Sequence, residues 1–332
     1  MRRTVLAAIL GATIHTSAPA DSEPIHTSGQ PDDGPVSTFS IVARDSATGE
    51  VGVAVASRFF AVGSVVPWAR ADVGAVATQS FANTSFGWRG LDLMEAGLSP
   101  AEVSTALLEQ DDDPTRRQFG IVSASGESVT YTGEDCIPWA GGRRGPGYAI
   151  QGNILAGEDV VLGMESAFLR ASGTLADRLY AALIAGEKAG GDSRGKQSAA
   201  LLVVKANAGY GGYTDRALDV RVDDHEEPFV ELGRLLSFAQ MNYSWNDGWT
   251  LYTLGSYSKA LVAMERTAAL APENAEVLYD LAVIRLAAGD RPGALEALSK
   301  SIVLNPAIAN QAAEDAALGS LRTDSVFQAL TR

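Results

Sequence analysis

Histidine and cysteine, which build many catalytic and metal sites, are scarce in this sequence. Of its three histidines, His15 and His26 precede the part expected to fold, which leaves His225 alone. A histidine-rich zinc site needs more ligands than that, and a serine nucleophile activated by histidine would depend on this one residue. The single cysteine, Cys136, excludes an internal disulfide. No neighbouring residue favours a reactive thiolate, so Cys136 is better interpreted as a small buried hydrophobe than as a nucleophile.

Basic residues are also in deficit, since 26 Lys and Arg stand against 40 Asp and Glu and give a net charge of −14. An acidic surface repels phosphate backbones, which disfavours general nucleic-acid binding. The same charge disfavours docking on an anionic membrane face. Long apolar runs are missing as well: the run Val5–Ile14 is too short to span a bilayer, and no other stretch is long and apolar enough.

The first 20 residues have the pattern of a signal peptide. Arg2 and Arg3 supply positive charge, Val5–Ile14 supplies an apolar core, and Ala18–Ala20 supplies a small-residue cleavage site. The alternative is an uncleaved N-terminal helix. We therefore expect an exported protein, periplasmic or secreted, followed by a disordered polar linker over residues 21–36.

Structure is expected to begin at Ser37 and to alternate paired strands with helices up to about residue 240. Hairpin-forming strands with helices grouped between them predict an α+β layered domain rather than a parallel βαβ sheet. Ser99, Pro100 and Glu102 mark the start of one helix as a capping box. Gly209–Gly212 is interpreted as a hairpin turn rather than a phosphate loop. The predicted strands are Thr38–Ala43, Val51–Ala56, Val73–Gln79, Phe119–Ala124, Val129–Thr132, Ala199–Val204 and Ala217–Val222; the predicted helices are Gly87–Glu95, one from Ser99, Asp159–Ala171 and Leu175–Ala189.

Residues 241–332 have a different character, because features recur 34 positions apart. Gly255 is matched by Gly289, Leu270 by Leu304 and Pro272 by Pro306. This is the period of a tetratricopeptide repeat and predicts a small all-α helical tail. Such tails bind peptides or proteins, but one or two units are few for a groove. A helical buttress on the main domain, or on a second copy in a homo-oligomer, is an equal alternative.

Five segments of the main domain are distinctive when taken together: TFSIVARD from Thr38, VAVASRFFAVGSVVPW from Val53, AVATQSFAN from Ala75, QGNILA from Gln151 and RGKQSAALLV from Arg194. They resemble domain of unknown function 1028, an uncharacterised bacterial family placed in the N-terminal-nucleophile (Ntn) hydrolase superfamily. The resemblance extends over roughly residues 37–236, and the tail lies outside it. It implies a four-layer αββα sandwich whose nucleophile is the first residue of the first strand, here Thr38.

A threonine in that place can react without histidine if its α-amine is free. An α-amine with a pKa near 8 can accept the hydroxyl proton, so one residue serves as nucleophile and base. Signal cleavage after Ala20 would leave seventeen residues ahead of Thr38. The mechanism therefore requires a second cut between Ser37 and Thr38, and Ser37 is the weaker substitute if the cut falls one residue earlier.

Polar side chains next to the predicted strands, together with Gln151 and Asn153 on either side of Gly152, are the remaining candidates for oxyanion or substrate contacts. Asn83 has an alternative role as a helix cap, and Arg58 as a salt-bridge partner. The acidic runs Asp111–Asp113 and Asp223–Glu227 are better interpreted as solvated loops than as cation sites. We expect no metal and no cofactor. The candidates are Gln79, Asn83, Arg58, Gln151, Asn153, Arg194, Gln197 and Ser198.

The sequence thus predicts an exported amidohydrolase that cleaves a small amide or peptide-like substrate through Thr38. The alternative is a non-catalytic exported binding or scaffold protein that uses the same fold and docks a protein partner through its tail. The state of Thr38 distinguishes the two, because an internal threonine has no α-amine.

Overall fold

The computed structural model describes residues 38–332 of the chain. The predictions of a signal peptide, a linker and a role for Ser37 lie outside the described residues. Within residues 38–332, no helix is long and apolar enough to cross a membrane. The main domain holds ten strands: β1 Thr38–Arg44, β2 Val51–Ser57, β3 Pro67–Arg70, β4 Gly74–Ser80, β5 Arg117–Ser123, β6 Ser128–Thr132, β7 Gly141–Gly145, β8 Tyr148–Asn153, β9 Ser198–Val204 and β10 Arg216–Val222.

These strands form two antiparallel sheets. The larger has the order β10-β9-β2-β1-β8-β7, and the smaller has the order β3-β4-β5-β6. The strands β1 and β2 are buried almost along their whole length, which explains their nearly continuous apolar sequence. As predicted, β9 and β10 are joined through Gly209–Gly212 into an antiparallel pair. The α+β class with antiparallel sheets is confirmed.

Four helices pack on these sheets: α1 Ser85–Glu95, α2 Pro100–Leu108, α3 Asp159–Arg170 and α4 Leu175–Lys188. The predicted capping box begins α2, with the Glu102 amide donating to Ser99 Oγ and the Ser99 amide donating to the Glu102 carboxylate. Thr174 and Asp177 form the same arrangement at the start of α4. Each box satisfies amide groups that the first turn of a helix leaves without partners.

Three hydrophobic cores fix the order of the layers. One core lies where α1 and α2 meet the smaller sheet and contains Phe86 and Phe119. A second lies between the two sheets and contains Val42 and Val55. A third lies where α3 and α4 meet the larger sheet and contains Phe39. Because strand side chains alternate, Thr38, Ser40 and Val42 face the other sheet, whereas Phe39 and Ile41 face the helices.

The sequence prediction missed three strands, β3, β7 and β8. The edge strand β7 reads GGRRG and lacks the β-branched and aromatic residues that identify strands. The edge strand β3 begins with Pro67, which is tolerated at the first position of a strand. The strand β8 is buried on both faces, so its sequence does not alternate between apolar and polar residues. Its central residues AIQG also interrupt the apolar run that would mark a buried strand. The helix predicted from Gly87 begins two residues earlier, at Ser85.

The C-terminal region is helical, as predicted, and has its own core around Met264, Leu281 and Leu298. Gly255 and Gly289 end α5 and α7 in the left-handed region, with φ of 72° and 89°, where a side chain would be strained. Two glycines 34 residues apart therefore end their helices with the same left-handed turn. The helices are α5 Pro228–Thr253, α6 Tyr257–Leu270, α7 Ala275–Ala287, α8 Arg291–Leu304, α9 Ile308–Glu314 and α10 Ser325–Leu330.

The 26-residue helix α5 belongs to both regions. Its first half packs into the core beside the larger sheet through Phe229, Leu232 and Leu236. Its second half packs into the tail core through Trp245 and Trp249. The boundary predicted at residue 240 falls in the middle of this helix, so the backbone is continuous there.

Candidate functional site

Thr38 opens β1 in the centre of the larger sheet and is fully buried. It pairs with Ser57 of β2 on one side and with Asn153 of β8 on the other. Its hydroxyl donates a hydrogen bond to Ser57 Oγ at 3.3 Å. The first residue of the strand is therefore held by neighbours on both sides, with its hydroxyl facing the smaller sheet.

Buried amides from both sheets surround this position. We call Ser40, Gln79, Gln118, Gln151 and Asn153 the amide seam; all five are 0% exposed. Gln79 Nε2 donates to the backbone oxygen of Thr38 at 3.1 Å and to Gln118 Oε1 at 2.8 Å. A polar cluster of this size between two sheets is tolerated only because its members satisfy one another.

The hydrogen bonds of the seam run in one direction. Gln151 Nε2 donates to Ser40 Oγ at 2.5 Å, and that hydroxyl donates to Gln79 Oε1 at 2.5 Å. Since Gln79 accepts on its oxygen and donates on its nitrogen, its amide has one consistent orientation. Gly120 makes room for the seam, because a Cβ there would lie 2.1 Å from Gln151 Oε1.

Gln118 is the branch point of the seam and was missed by sequence reasoning. Its Oε1 accepts from Gln79 Nε2 and from Asn153 Nδ2, both at 2.8 Å. Its Nε2 donates to the Gly152 carbonyl at 2.7 Å and to Thr132 Oγ1 at 2.9 Å. A glutamine at an inward position of a buried strand was the signal that could have identified it.

Gln79, Gln151 and Asn153 are thus brought together around Thr38, and the side-chain N–H groups of Gln79 already have acceptors there. Its N–H groups are committed to Thr38 O and Gln118 Oε1, with a longer contact of 3.4 Å to Gln151 O. An oxyanion would have to displace one of these acceptors. Gln79 is therefore placed to hold the strand rather than to receive negative charge.

Asn83 lies outside the seam, at the start of α1. Its Oδ1 accepts from the Ser85 amide at 3.1 Å, and its Nδ2 donates to Asp111 Oδ2 at 2.7 Å. This is the cap role named as its alternative. Burial by itself would raise the pKa of Asp111, but hydrogen bonds from Asn83, Asp113 and Arg117 outweigh it and lower that pKa.

Arg58 and Arg194 meet in the loops beyond the end of β2. Arg58 Nη1 donates to the Arg194 carbonyl at 2.6 Å, and Arg194 Nη2 donates to the Arg58 carbonyl at 3.1 Å. The buried Asp192 accepts from the Arg58 amide at 2.9 Å and forms a salt bridge with Arg194 at 3.3 Å. The charge of Arg194 is compensated by this carboxylate, whereas Arg58 is exposed at the surface.

Gln197 and Ser198 support the same loops. Gln197 Nε2 donates to Asp224 Oδ1 at 3.1 Å on the surface. Ser198 is buried; its hydroxyl donates to the Phe59 carbonyl at 2.5 Å and accepts from the Val62 amide at 3.2 Å. These bonds hold the segment after β2 against β9.

Cys136 and the acidic runs do not form a second reactive centre. Burial raises the pKa of the Cys136 thiol, which lowers its thiolate fraction. His225 Nδ1 accepts from the Glu227 amide at 2.9 Å, a bond internal to its loop. Over residues 38–332, no group of three or more His, Cys, Asp and Glu side chains is arranged to hold a metal ion.

A cleft of about 510 Å³ lies away from Thr38 and is lined by residues of β3, β9 and β10. Its walls include Trp68, Arg70, Asp219 and Arg221. The guanidinium of Arg221 is paired with Asp219 at 3.1 Å, and Arg70 is paired with Asp92 and Glu95. This cleft does not include Thr38 or the seam.

The comparison with protein families matches residues 38–232 to a family of unknown function, DUF1028. The chain belongs to this family. Among solved structures it is similar to protein SPO2555 from Silicibacter pomeroyi, a crystal structure described with the same family. The two are 30% identical, with a TM-score of 0.57 over 61% of this chain and 89% of that one. No curated protein matches. The matched region begins at Thr38 and ends inside α5, so the helical tail lies outside it.

Proposed function

We propose that this protein is an exported Ntn-type amidohydrolase that cleaves a small amide or peptide-like substrate through Thr38. The observation that carries the proposal is the position of Thr38, the first residue of the central strand, with its hydroxyl hydrogen-bonded to Ser57 inside a polar seam. The sequence of helices, sheet, sheet and helices supports an Ntn sandwich. The DUF1028 family itself has no known function to transfer.

The chemistry requires the chain to be cut before Thr38. The freed α-amine would accept the hydroxyl proton as Thr38 Oγ1 attacks the amide carbonyl carbon. The proton then passes to the leaving nitrogen as the C–N bond breaks, which leaves an ester on Thr38 and releases an amine. Water hydrolyses the ester and restores the hydroxyl. Ser57 Oγ, the present acceptor of the Thr38 hydroxyl, is placed to orient that oxygen.

The second candidate is a non-catalytic exported binding or scaffold protein. The observation that favours it is the closure of the site: Thr38 and the whole seam are buried, and the N–H groups of Gln79 are already occupied. In that case the amides serve stability alone, and the helical tail carries the protein's partner.

The first test is the intact mass and N-terminal sequence of the protein from an exporting host. A chain that starts at Thr38, and that releases amine from a panel of N-acyl amides and short peptides, supports the hydrolase. Thr38→Ala should then lower the turnover rate by more than about a thousandfold, as loss of a nucleophile does.

The matched control is Thr48→Ala, an exposed threonine in the turn between β1 and β2, which should keep full activity. A stable chain that retains the residues before Thr38 lacks the general base. That result rejects the hydrolase and favours the scaffold protein.

A further inference from the structure

We infer that Gln118 is a positioning residue for the Thr38 site, a role that rests on the function proposed above. It receives one amide hydrogen bond from each of the two sheets, from Gln79 of β4 and from Asn153 of β8. Both donors are direct neighbours of Thr38, so one side-chain oxygen holds both flanks of the nucleophile.

The orientation of Gln118 is fixed by its other end. Its Nε2 faces three oxygens, the Gly152 carbonyl at 2.7 Å, Thr132 Oγ1 at 2.9 Å and the Gly141 carbonyl at 3.4 Å. A rotated amide would bring Gln118 Oε1 against the Gly152 carbonyl and its NH₂ group against two other donors. Such a buried mismatch is strongly unfavourable, so the oxygen stays directed at Gln79 and Asn153.

The consequence for Thr38 follows from these contacts. Gln79 donates one N–H to the Thr38 carbonyl and another to Gln118 Oε1. Asn153, the register partner of Thr38 in β8, donates to the same oxygen. Loss of Gln118 would remove the acceptor that these two amides share beside the nucleophile. Because reactivity depends on placement at the ångström level, the rate should fall even if Thr38 is untouched.

The test uses the mature chain from the exporting host and a β-lactone as probe, since no substrate is needed. Attack by Thr38 Oγ1 on the lactone carbonyl forms an ester and breaks the ring C–O bond. The ring oxygen takes up the hydroxyl proton through the α-amine. No group leaves, so the intact mass rises by that of the whole lactone. Thr38→Ala is the blank.

We expect Gln118→Met to slow this acylation by roughly tenfold to a hundredfold. The control for lost stability is Val122→Ala, which opens a cavity in the inter-sheet core on the same strand, at a position that pairs with Ala75 of β4. It should be acylated at the rate of the wild-type protein. If Gln118→Met also reacts at that rate, or if Val122→Ala is slowed as much, the inference is wrong.

Gln118→Glu gives a second readout that loss of stability alone would not produce. A buried carboxyl is neutral at low pH, where its carbonyl can accept both amides and its O–H can donate to the Gly152 oxygen. Ionisation removes that donor. The rate relative to wild type should therefore be nearly restored at low pH and fall as pH rises, with tryptophan fluorescence showing a folded chain throughout. A constant ratio overturns the inference. A wild-type mature chain that is never acylated instead rejects the proposed function.

Discussion

The two regions of this molecule bury polar groups in different ways. Between the sheets, the amide seam uses neutral side chains, each with a defined partner. In the tail, a partly buried carboxylate is used instead: Trp245 Nε1 and Trp249 Nε1 both donate to Asp280 Oδ2, at 2.7 and 2.8 Å. Both solutions satisfy hydrogen bonds, but only the second one depends on a titratable group.

The difference separates the pH responses of the two regions. Burial raises the pKa of Asp280, even though the hydrogen bonds from Trp249 and Trp245 act to lower it. The contribution of this group to stability is therefore full below its unfolded pKa and is lost as pH rises through the raised folded pKa. The amides of the seam do not titrate. The buried polar cluster of the tail, rather than the amide seam, should therefore respond to acidic pH.

The largest effect should come from breaking the helix that the two regions share. Asp247 lies at an exposed position in the second half of α5. Its replacement by proline removes one helix hydrogen bond, and the proline ring clashes with the preceding turn. We expect a loss of about 3 kcal/mol or more and separate unfolding of the tail, seen as two transitions in urea. Asp247→Ala is the control. A single transition in the proline variant would show that α5 is not what couples the regions.

The next effect concerns the seam. Gln79→Ala removes one buried hydrogen-bond partner from each of three groups, the Thr38 carbonyl, Gln118 Oε1 and the Ser40 hydroxyl. The free energy of unfolding should fall by about 3 kcal/mol, the order of one or two orphaned buried groups. Gln197→Ala, which removes a surface amide bonded to Asp224, should change it by less than about 0.5 kcal/mol. Equal losses would mean that the seam contributes no more than a surface contact.

The smallest effect is the pH response of the tail. Asp280→Asn keeps an oxygen for both indole N–H groups but removes the partly buried charge. At neutral pH the variant should be modestly more stable than wild type, because the asparagine carries no charge that burial would desolvate. That difference should shrink as the pH falls into the acid range, as measured by urea unfolding at a series of pH values.

Asp111→Asn should change stability with pH in the opposite direction to Asp280→Asn, because the pKa of Asp111 is lowered in the folded protein. Its carboxylate stabilises above the unfolded pKa, and this contribution is lost as pH falls through the folded pKa. The asparagine variant should be less stable than wild type at neutral pH and should approach it in acid. The same pH trend for both variants would contradict the comparison.

Local signals in the sequence were sufficient for most of the fold. The capping box at Ser99 predicted the start of α2, and the 34-residue recurrence predicted the helices of the tail. The strand β7 could not be found this way, because GGRRG is a strand only through its pairing with β8. Strand pairing depends on partners far away in the chain, and propensity does not encode it.

The candidate site was only partly predictable for the same reason. Thr38 was identified through a family resemblance, and Gln79, Gln151 and Asn153 through their places beside a strand end and beside Gly152. Ser57 and Gln118 were not identified. Gln118 meets Asn153 across 35 positions and between two different sheets. Asn83 looked equivalent to Gln79 in sequence but caps a helix, since it lies three residues beyond the end of β4.

Because α5 is continuous, the number of its residues determines how the tail is rotated about the helix axis. Each residue of an α-helix advances the chain by about 1.5 Å and turns it by about 100°. One residue inserted near position 240 would swing the tail about a third of a revolution around the helix axis. The indoles of Trp245 and Trp249 would turn with the tail, so they would face a different side of the axis relative to the first half of α5. Insertions of seven residues, close to two full turns, would restore the direction and only lengthen the rod. Relatives with tails of this kind should therefore vary in the length of α5 by whole turns.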